Sequence, residues 1–378
     1  MRAASALSEH PLAAHAVGEV AGEILEQLNG EPVDLLVVFI DSVHTGTVDD
    51  ISAALRDLLN PAAMIGTTAS GVISRMTEVE DRSALSVWAA SGLEARTFRI
   101  EPGDADPTNG WNSIIDGSDE DDVHNAIVLA DPFTTPLIEM LESAKTAAPS
   151  LALHGGLSSG ARGPGGNRLL LDDRVVSDGA VGVRVRGVPI RSVVSQGCRP
   201  VGMPLTVTGA TGNVITELAS QRPMDVLQKI ATEATDADKA LLAGGVHIGI
   251  VIDEGQHEFG RGDFLIRAVM GADQDSGAIA IGAGIDVGTT VQFQVRDAAT
   301  ASDDLVEMLS DAEAQAALTF TCNGRGEHLF GRSGHDAELV HELTGSRATA
   351  GMFCAGELGP VRAENHLHGF TASTLLFG

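Results

Sequence analysis

The sequence predicts an α/β (α+β) fold of mixed, largely antiparallel sheets covered by helices, built from repeated strand-helix-strand-hairpin units. Three observations carry the expectation. Apolar runs of strand length alternate with segments of helical periodicity. Turns rich in Gly, Ser and Thr follow the second strand of each pair. The distance from first strand to Gly-rich turn is about 30 residues in two places, as in a duplicated module. With 378 residues, 43% of them apolar, the chain is long enough to bury a sizeable core.

In the first unit, Val33 to Ile40 is a continuous apolar run ending at Asp41. The helix-like segment Val48 to Leu59 follows, with Thr47, Asp49 and Asp50 as start signals. A second strand, Ala62 to Ile65, leads into the turn Gly66-Thr67-Thr68-Ala69-Ser70-Gly71, after which Leu85 to Ala90 and Ala95 to Ile100 read as an antiparallel hairpin. The order returns with strand Ala126 to Ala130, helix Thr135 to Ala147, strand Leu151 to Leu153, turn Gly155 to Gly160, and strands Leu169 to Leu171, Ala180 to Val185 and Ile190 to Val194. A third instance begins at Ala317, with a helix over Asp336 to Leu343 and strands Ala348 to Phe353 and Gly369 to Phe377. Before it lie a hairpin turning at Thr211-Gly212-Asn213, a helix over Met224 to Ala231, and strands Ile248 to Ile252, Phe264 to Val269 and Thr290 to Val295. The expected division is an N-terminal helix or extension over 1–32, a region 33–220 holding two similar units (about 33–101 and 126–198), and a region 221–378.

The formal charge of −28, from 24 basic and 52 acidic residues, disfavours nucleic acid and anionic membranes, which demand clustered cations. No apolar window approaches the roughly 20 residues that span a bilayer, and the first 20 residues do not read as a secretion signal. Three scattered cysteines, Cys198, Cys322 and Cys354, fit a reducing cytoplasm. The Gly-rich turns lack the order of a P-loop or dinucleotide fingerprint, so no nucleotide cofactor is expected. His366 and His368 share a strand face, but without further close ligands no metal is expected.

The segments Cys322-Asn323-Gly324-Arg325-Gly326, Leu329-Phe330-Gly331, Gly356-Glu357-Leu358-Gly359-Pro360 and Asn365-His366-Leu367-His368-Gly369-Phe370, with the N-terminal strand-helix-strand and its Gly-rich loop, resemble the FIST domain over residues 33 to 377. The resemblance implies a sensory domain binding small ligands, amino acids being the proposed class, and coupled to signalling modules. The two regions leave no kinase, cyclase or F-box segment. Output is therefore expected through a separate partner protein or through oligomerisation.

Arg325, flanked by Gly324 and Gly326, is placed to pair a ligand carboxylate through its planar guanidinium; a structural salt bridge is the other reading. Asn323 can offer a donor and an acceptor, or simply make a turn. Glu357 beside Gly356 can accept a ligand ammonium and is equally a turn residue; Asp131 at a strand end reads first as a turn residue and second as a partner for a ligand amine. Asn365 and His368 lie in the C-terminal motif. Gly66, Thr67, Gly155, Gly156 and Ser158 supply main-chain donors and small hydroxyls at strand ends. Cys322, with His335 or His368 as base, is the nucleophile of an alternative reading as a hydrolase or transferase, against its ordinary role as a small buried hydrophobe. The sequence thus points to a non-catalytic cytoplasmic sensor of an amino acid or other small carboxylate.

Overall fold

A computed structural model describes residues 1–102, 111 and 124–378. The chain forms two compact units, one comprising Met1–Val194, Leu305–Leu367 and Thr371–Gly378, the other Ser195–Asp304 and His368–Phe370.

The first unit contains one order of elements three times. In the first repeat, β1 (Arg2–Ser8) and α1 (Ala13–Leu28) precede β2 (Leu35–Asp41), α2 (Val48–Leu59) and β3 (Ala63–Ala69), followed by the short hairpin β4 (Gly71–Ser74) and β5 (Thr77–Glu80) and by β6 (Leu85–Ser91). All seven residues of β2 and of β3 are buried, as befits a parallel pair covered on both faces. Asp49 and Asp50 favour the N-terminus of α2 through its dipole, Ile51, Leu55 and Leu59 form its buried stripe, and Asn60 ends it in the left-handed conformation.

The second repeat comprises β7 (Glu94–Ile100), β8 (His124–Ala130), α3 (Leu137–Ala147), β9 (Leu151–Leu157), the hairpin β10 (Leu169–Leu171) and β11 (Arg174–Val176), and β12 (Ala180–Arg186). The third begins with β13 (Ile190–Gln196) and, after the segment that makes the second unit, continues with β20 (Ala316–Cys322), α7 (Gly326–Phe330), α8 (His335–Thr344), β21 (Ala348–Cys354), the hairpin β22 (Glu357–Val361) and β23 (Glu364–His368), and β24 (Thr371–Phe377).

Three six-stranded sheets result, in the orders β1-β6-β2-β3-β10-β11, β7-β12-β8-β9-β22-β23 and β13-β24-β20-β21-β4-β5. Each has a parallel pair at its centre and antiparallel strands outside. The short hairpins are exchanged in a ring: the first repeat's completes the third sheet, the second's the first, and the third's the second. Each exchange covers the edge a parallel pair would otherwise expose. One face of all three sheets meets in a common core containing Phe39, Trp88, Leu129, Phe320, Met352 and Phe377. The opposite faces are covered by α1 and α2, by α3, and by α8.

The second unit is a closed six-stranded barrel, β14 (Cys198–Thr211), β15 (Val214–Leu218), β16 (Val246–Val251), β17 (Phe264–Ala272), β18 (Ile279–Ile281) and β19 (Thr290–Arg296), with α4 (Pro223–Glu233) and α5 (Asp236–Ala243). A further helix, α6 (Ala298–Leu309), follows β19 in the chain. Val207, Ile215, Leu218, Ile248, Ile281, Phe293 and Val295 fill the barrel. The hairpin at Thr211-Gly212-Asn213 is present, pairing Thr211 with Val214. No helix among the described residues is long and apolar enough to cross a membrane.

Two expectations are corrected. β6 and β7 are not a hairpin: β6 pairs with β1 and β2, whereas β7 pairs with β12 in another sheet. Gly66 to Ala69 and Gly155 to Leu157 are not turns but the ends of β3 and β9, extending the predicted strands by four residues each. Glycine is needed there for close strand approach. A Cβ on Gly66 would lie 2.6 Å from the Val38 carbonyl oxygen, and one on Gly155, at φ +127°, would lie 2.0 Å from that of Val128. Gly351 in β21 is the third member of the set, 1.9 Å from the Thr319 oxygen.

Candidate functional site

The three glycines align the repeats. Counting three residues onward from each glycine and its facing partner pairs Asp41 with Ala69, Asp131 with Ser158, and Cys322 with Cys354 at the carboxyl ends of the parallel strands. One residue later come Ser70, Ser159 and Ala355. All three line one cavity of about 540 Å³, together with Pro132, Ser158 and Asn323. Carboxyl ends of parallel strands are where open α/β sheets bind ligands, because chain reversals there leave a hollow lined by main-chain groups.

Hydrogen bonds lock the three ends together. Ser159 Oγ accepts from Ser70 N (2.9 Å) and donates to the Phe353 carbonyl. Thr67 Oγ1 and Ser158 Oγ share a bond of 2.6 Å, and Leu157 N donates to Gly356 O (2.8 Å). Both signs of charge line the cavity. Glu80 and Asp81, from the exchanged hairpin and the turn after it, contribute carboxylates, and Arg162, exposed, contributes a cation that makes no ion pair with the described residues. Half-burial pushes the Glu80 carboxyl above its ordinary pKa.

Behind Asn323 the chain turns inward. Arg325 is 1% exposed, and its guanidinium forks onto Asp336, Nε to Oδ2 at 2.7 Å and Nη2 to Oδ1 at 2.9 Å. Asp336 also accepts from Thr321 Oγ1 (2.7 Å), and the Arg325 charge holds its carboxyl well below the usual range against the opposing effect of burial. The bidentate face expected for a ligand carboxylate is therefore taken by a structural acid. Only Nη1 is left, buried and without a hydrogen-bond partner. Glu357, fully buried, accepts from Thr371 N (3.2 Å) and Thr371 Oγ1 (2.8 Å), while its other oxygen is unpaired. Burial raises its pKa to about 8. Glu78, pushed up to about 7 by burial and by Asp336, caps α8 through the backbone N–H groups of Gly334, Asp336 and Ala337.

The other predicted residues divide by place. Asn323 and Ser158 line the cavity, and Cys322, Gly324 and Gly356 adjoin it in the chain. Gly324 N donates to Cys322 Sγ at 3.5 Å. Gly326, at φ +57°, leaves room for the Glu80 carboxylate, which a Cβ would meet at 2.4 Å. Gly156 likewise accommodates the Cys354 sulfur, 2.5 Å from where its Cβ would stand. Gly66, Gly155 and Gly156 thus serve strand packing. Asp131 is consumed by Phe133 N (3.2 Å), Thr134 Oγ1 (2.7 Å) and Asn167 Nδ2 (2.9 Å). Asn365 bridges Leu153 N and Leu151 O at the opposite end of β9. His335 bonds Asp336 and stacks on Phe330, and His368 belongs to the second unit.

Sequence reasoning missed Arg162, Glu80, Asp81 and Ser70. Arg162 carried the signal that drew attention to Arg325, an Arg among glycines in Gly160-Ala161-Arg162-Gly163. Glu80 and Asp81 had none, because their position depends on the hairpin exchange. The barrel unit has its own cavity of about 440 Å³, but it is lined mainly by apolar side chains, and its Arg199 is already tied to Asp238 and Asp297.

The FIST N domain matches residues 34–221 and the FIST C domain residues 223–360. The chain is 41% identical to the uncharacterized protein Mb0898c of Mycobacterium bovis over 387 aligned positions, covering 100% of this chain and 99% of that one. It is 42% identical to the uncharacterized protein Rv0628c of Mycobacterium tuberculosis, with 100% of both covered. The ring of three exchanged sheets and the barrel therefore belong to a member of the FIST family.

Proposed function

We propose that this protein is a non-catalytic sensor that binds a small zwitterion, an amino acid or a close analogue, in the strand-end cavity. FIST domains are small-ligand-binding sensory domains of signal transduction. The observation that carries the finer reading is that both signs of charge line one cavity, Arg162 with Glu80 and Asp81, without an ion pair between the cation and either acid. A carboxylate pairs with the guanidinium and an ammonium with the acids, while Ser70, Ser159 and Asn323 offer neutral donors and acceptors between them. The anchoring role assigned to Arg325 in the sequence passes to Arg162. Ligand binding at a hollow built from all three repeats favours whichever arrangement of the strand ends fits it, and that differential affinity is what a cytoplasmic signalling partner would read.

Thermal denaturation with amino acids, matched organic acids and matched amines tests the proposal. A ligand at 100 times its Kd stabilises the folded state by about 2.7 kcal/mol. Zwitterions should raise the melting temperature more than either half-molecule, and Arg162→Ala and Asp81→Asn should each remove the rise. A rise that survives both substitutions would place the ligand elsewhere.

A further inference from the structure

We propose that Cys322 and Cys354 form a reversible disulfide on reaction with a hydroperoxide, so that a peroxide-reactive site adjoins the strand-end cavity. This goes beyond ligand sensing and does not depend on it.

The two cysteines are register partners at the last position of a parallel pair. Neighbouring strands run about 4.8 Å apart, within the roughly 4.4 to 6.8 Å between Cα atoms that a disulfide spans. Cys322 continues the face of Leu318 and Phe320, and Cys354 that of Ala350 and Met352, so both side chains leave the sheet on the side of the common core. The equivalent positions of the other repeats, Asp41 with Ala69 and Asp131 with Ser158, hold no thiol. Both cysteines are reduced.

Their surroundings differ in a way that assigns roles. The Arg325 guanidinium lies within electrostatic range of the Cys322 sulfur, and Cys322 retains 7% exposure beside the cavity residue Asn323. Cys354 is fully buried, with the Glu357 carboxyl near it, and burial pushes its thiol pKa well up. Cys322, the more exposed of the two and the neighbour of a cavity-lining residue, is therefore the sulfur that a peroxide meets first. Its attack on the peroxide breaks the O–O bond, giving a sulfenic acid and releasing the other oxygen as an alcohol or water. The Cys354 sulfur then attacks the sulfenic sulfur, the S–OH bond breaks, and the second oxygen leaves as water with the thiol proton. Two thiols are oxidised and one hydroperoxide is reduced. Asn323 and Ala355, which follow the two cysteines and line the cavity, are drawn together by the bond.

The test is hydrogen peroxide treatment of the intact protein, alkylation of remaining thiols and tryptic digestion without reductant. The expected product joins peptide 297–325 to peptide 348–362, two of the three thiols disappear from a count on the denatured protein, and dithiothreitol restores them. Cys322→Ser should leave both Cys354 and Cys198 alkylatable after the same treatment. The mapping on the unmodified sequence stands even if that variant folds poorly. Sulfinic acid at Cys322 with Cys354 alkylated, oxidation of Cys198 first, or three thiols unchanged would each overturn the proposal.

Discussion

The second and third repeats of the first unit have the same strand pairings and opposite chemistry at their ends. In the second, Asp131 accepts from Phe133 N, Thr134 Oγ1 and Asn167 Nδ2, and Ser158 Oγ pairs with Thr67 Oγ1. In the third, Cys322 and Cys354 occupy those positions, and behind them lie a buried ion pair, a neutralised Glu357 and an unpaired Arg325 nitrogen. The backbone needs only a glycine at the crossing point. What stands three residues later is free to differ, and the difference lets one scaffold hold a hydrogen-bonded wall in one repeat and a buried, titratable one in another.

The shared part breaks first. Gly155→Ala and Gly351→Ala each drive a Cβ into a strand carbonyl, at 2.0 and 1.9 Å, and each should cost more than about 4 kcal/mol in urea unfolding. If one were tolerated, the two repeats would not share their crossing. Next, Asp336→Ala leaves the Arg325 charge buried and unpaired and should cost about 3 to 5 kcal/mol. Asp131→Ala removes only hydrogen bonds and should cost about 1 to 3 kcal/mol; equal losses would erase the contrast between the repeats.

A pH series sharpens it further. The folded state keeps a proton on Glu357 up to about pH 8, whereas an ordinary glutamate, at 4.5, has lost it. That group's contribution to stability is complete below about 4.5 and disappears as pH rises through about 8, with a slope of about 1.4 kcal/mol per unit. Glu78, raised to about 7, acts in the same direction. Melting temperature should therefore fall between pH 5 and pH 8, and Glu357→Gln should flatten the fall; an unchanged slope would locate the protonated group elsewhere. The smallest effect on stability belongs to Arg162→Ala, within about 0.5 kcal/mol for an exposed side chain, and a larger loss would make Arg162 a structural residue.

Much of the parallel core was legible. Continuous apolar runs gave β2, β8 and β20, and the acidic start and apolar spacing gave α2 with its observed bounds. The strand Leu169–Leu171 was read with its observed bounds, but β1, β11 and the hairpins β4-β5 and β22-β23 were not legible; strands of three to five residues carry too little alternation to register. The Gly-rich stretches were misread as loops because a glycine that admits a neighbouring carbonyl and a glycine that turns the chain look alike in sequence.

The sequence by itself determined the α/β class and the family, because periodicity and short motifs act locally. Tertiary structure alone decided the use of the charges. Hairpin exchange carries Glu78 and Glu80 into the third sheet, which places one acid on a helix N-terminus and the other at the cavity. The packing of α8 over β20 places Asp336 on Arg325. An ionic partner is chosen by proximity after the chain has closed, and no pattern along the chain records that distance.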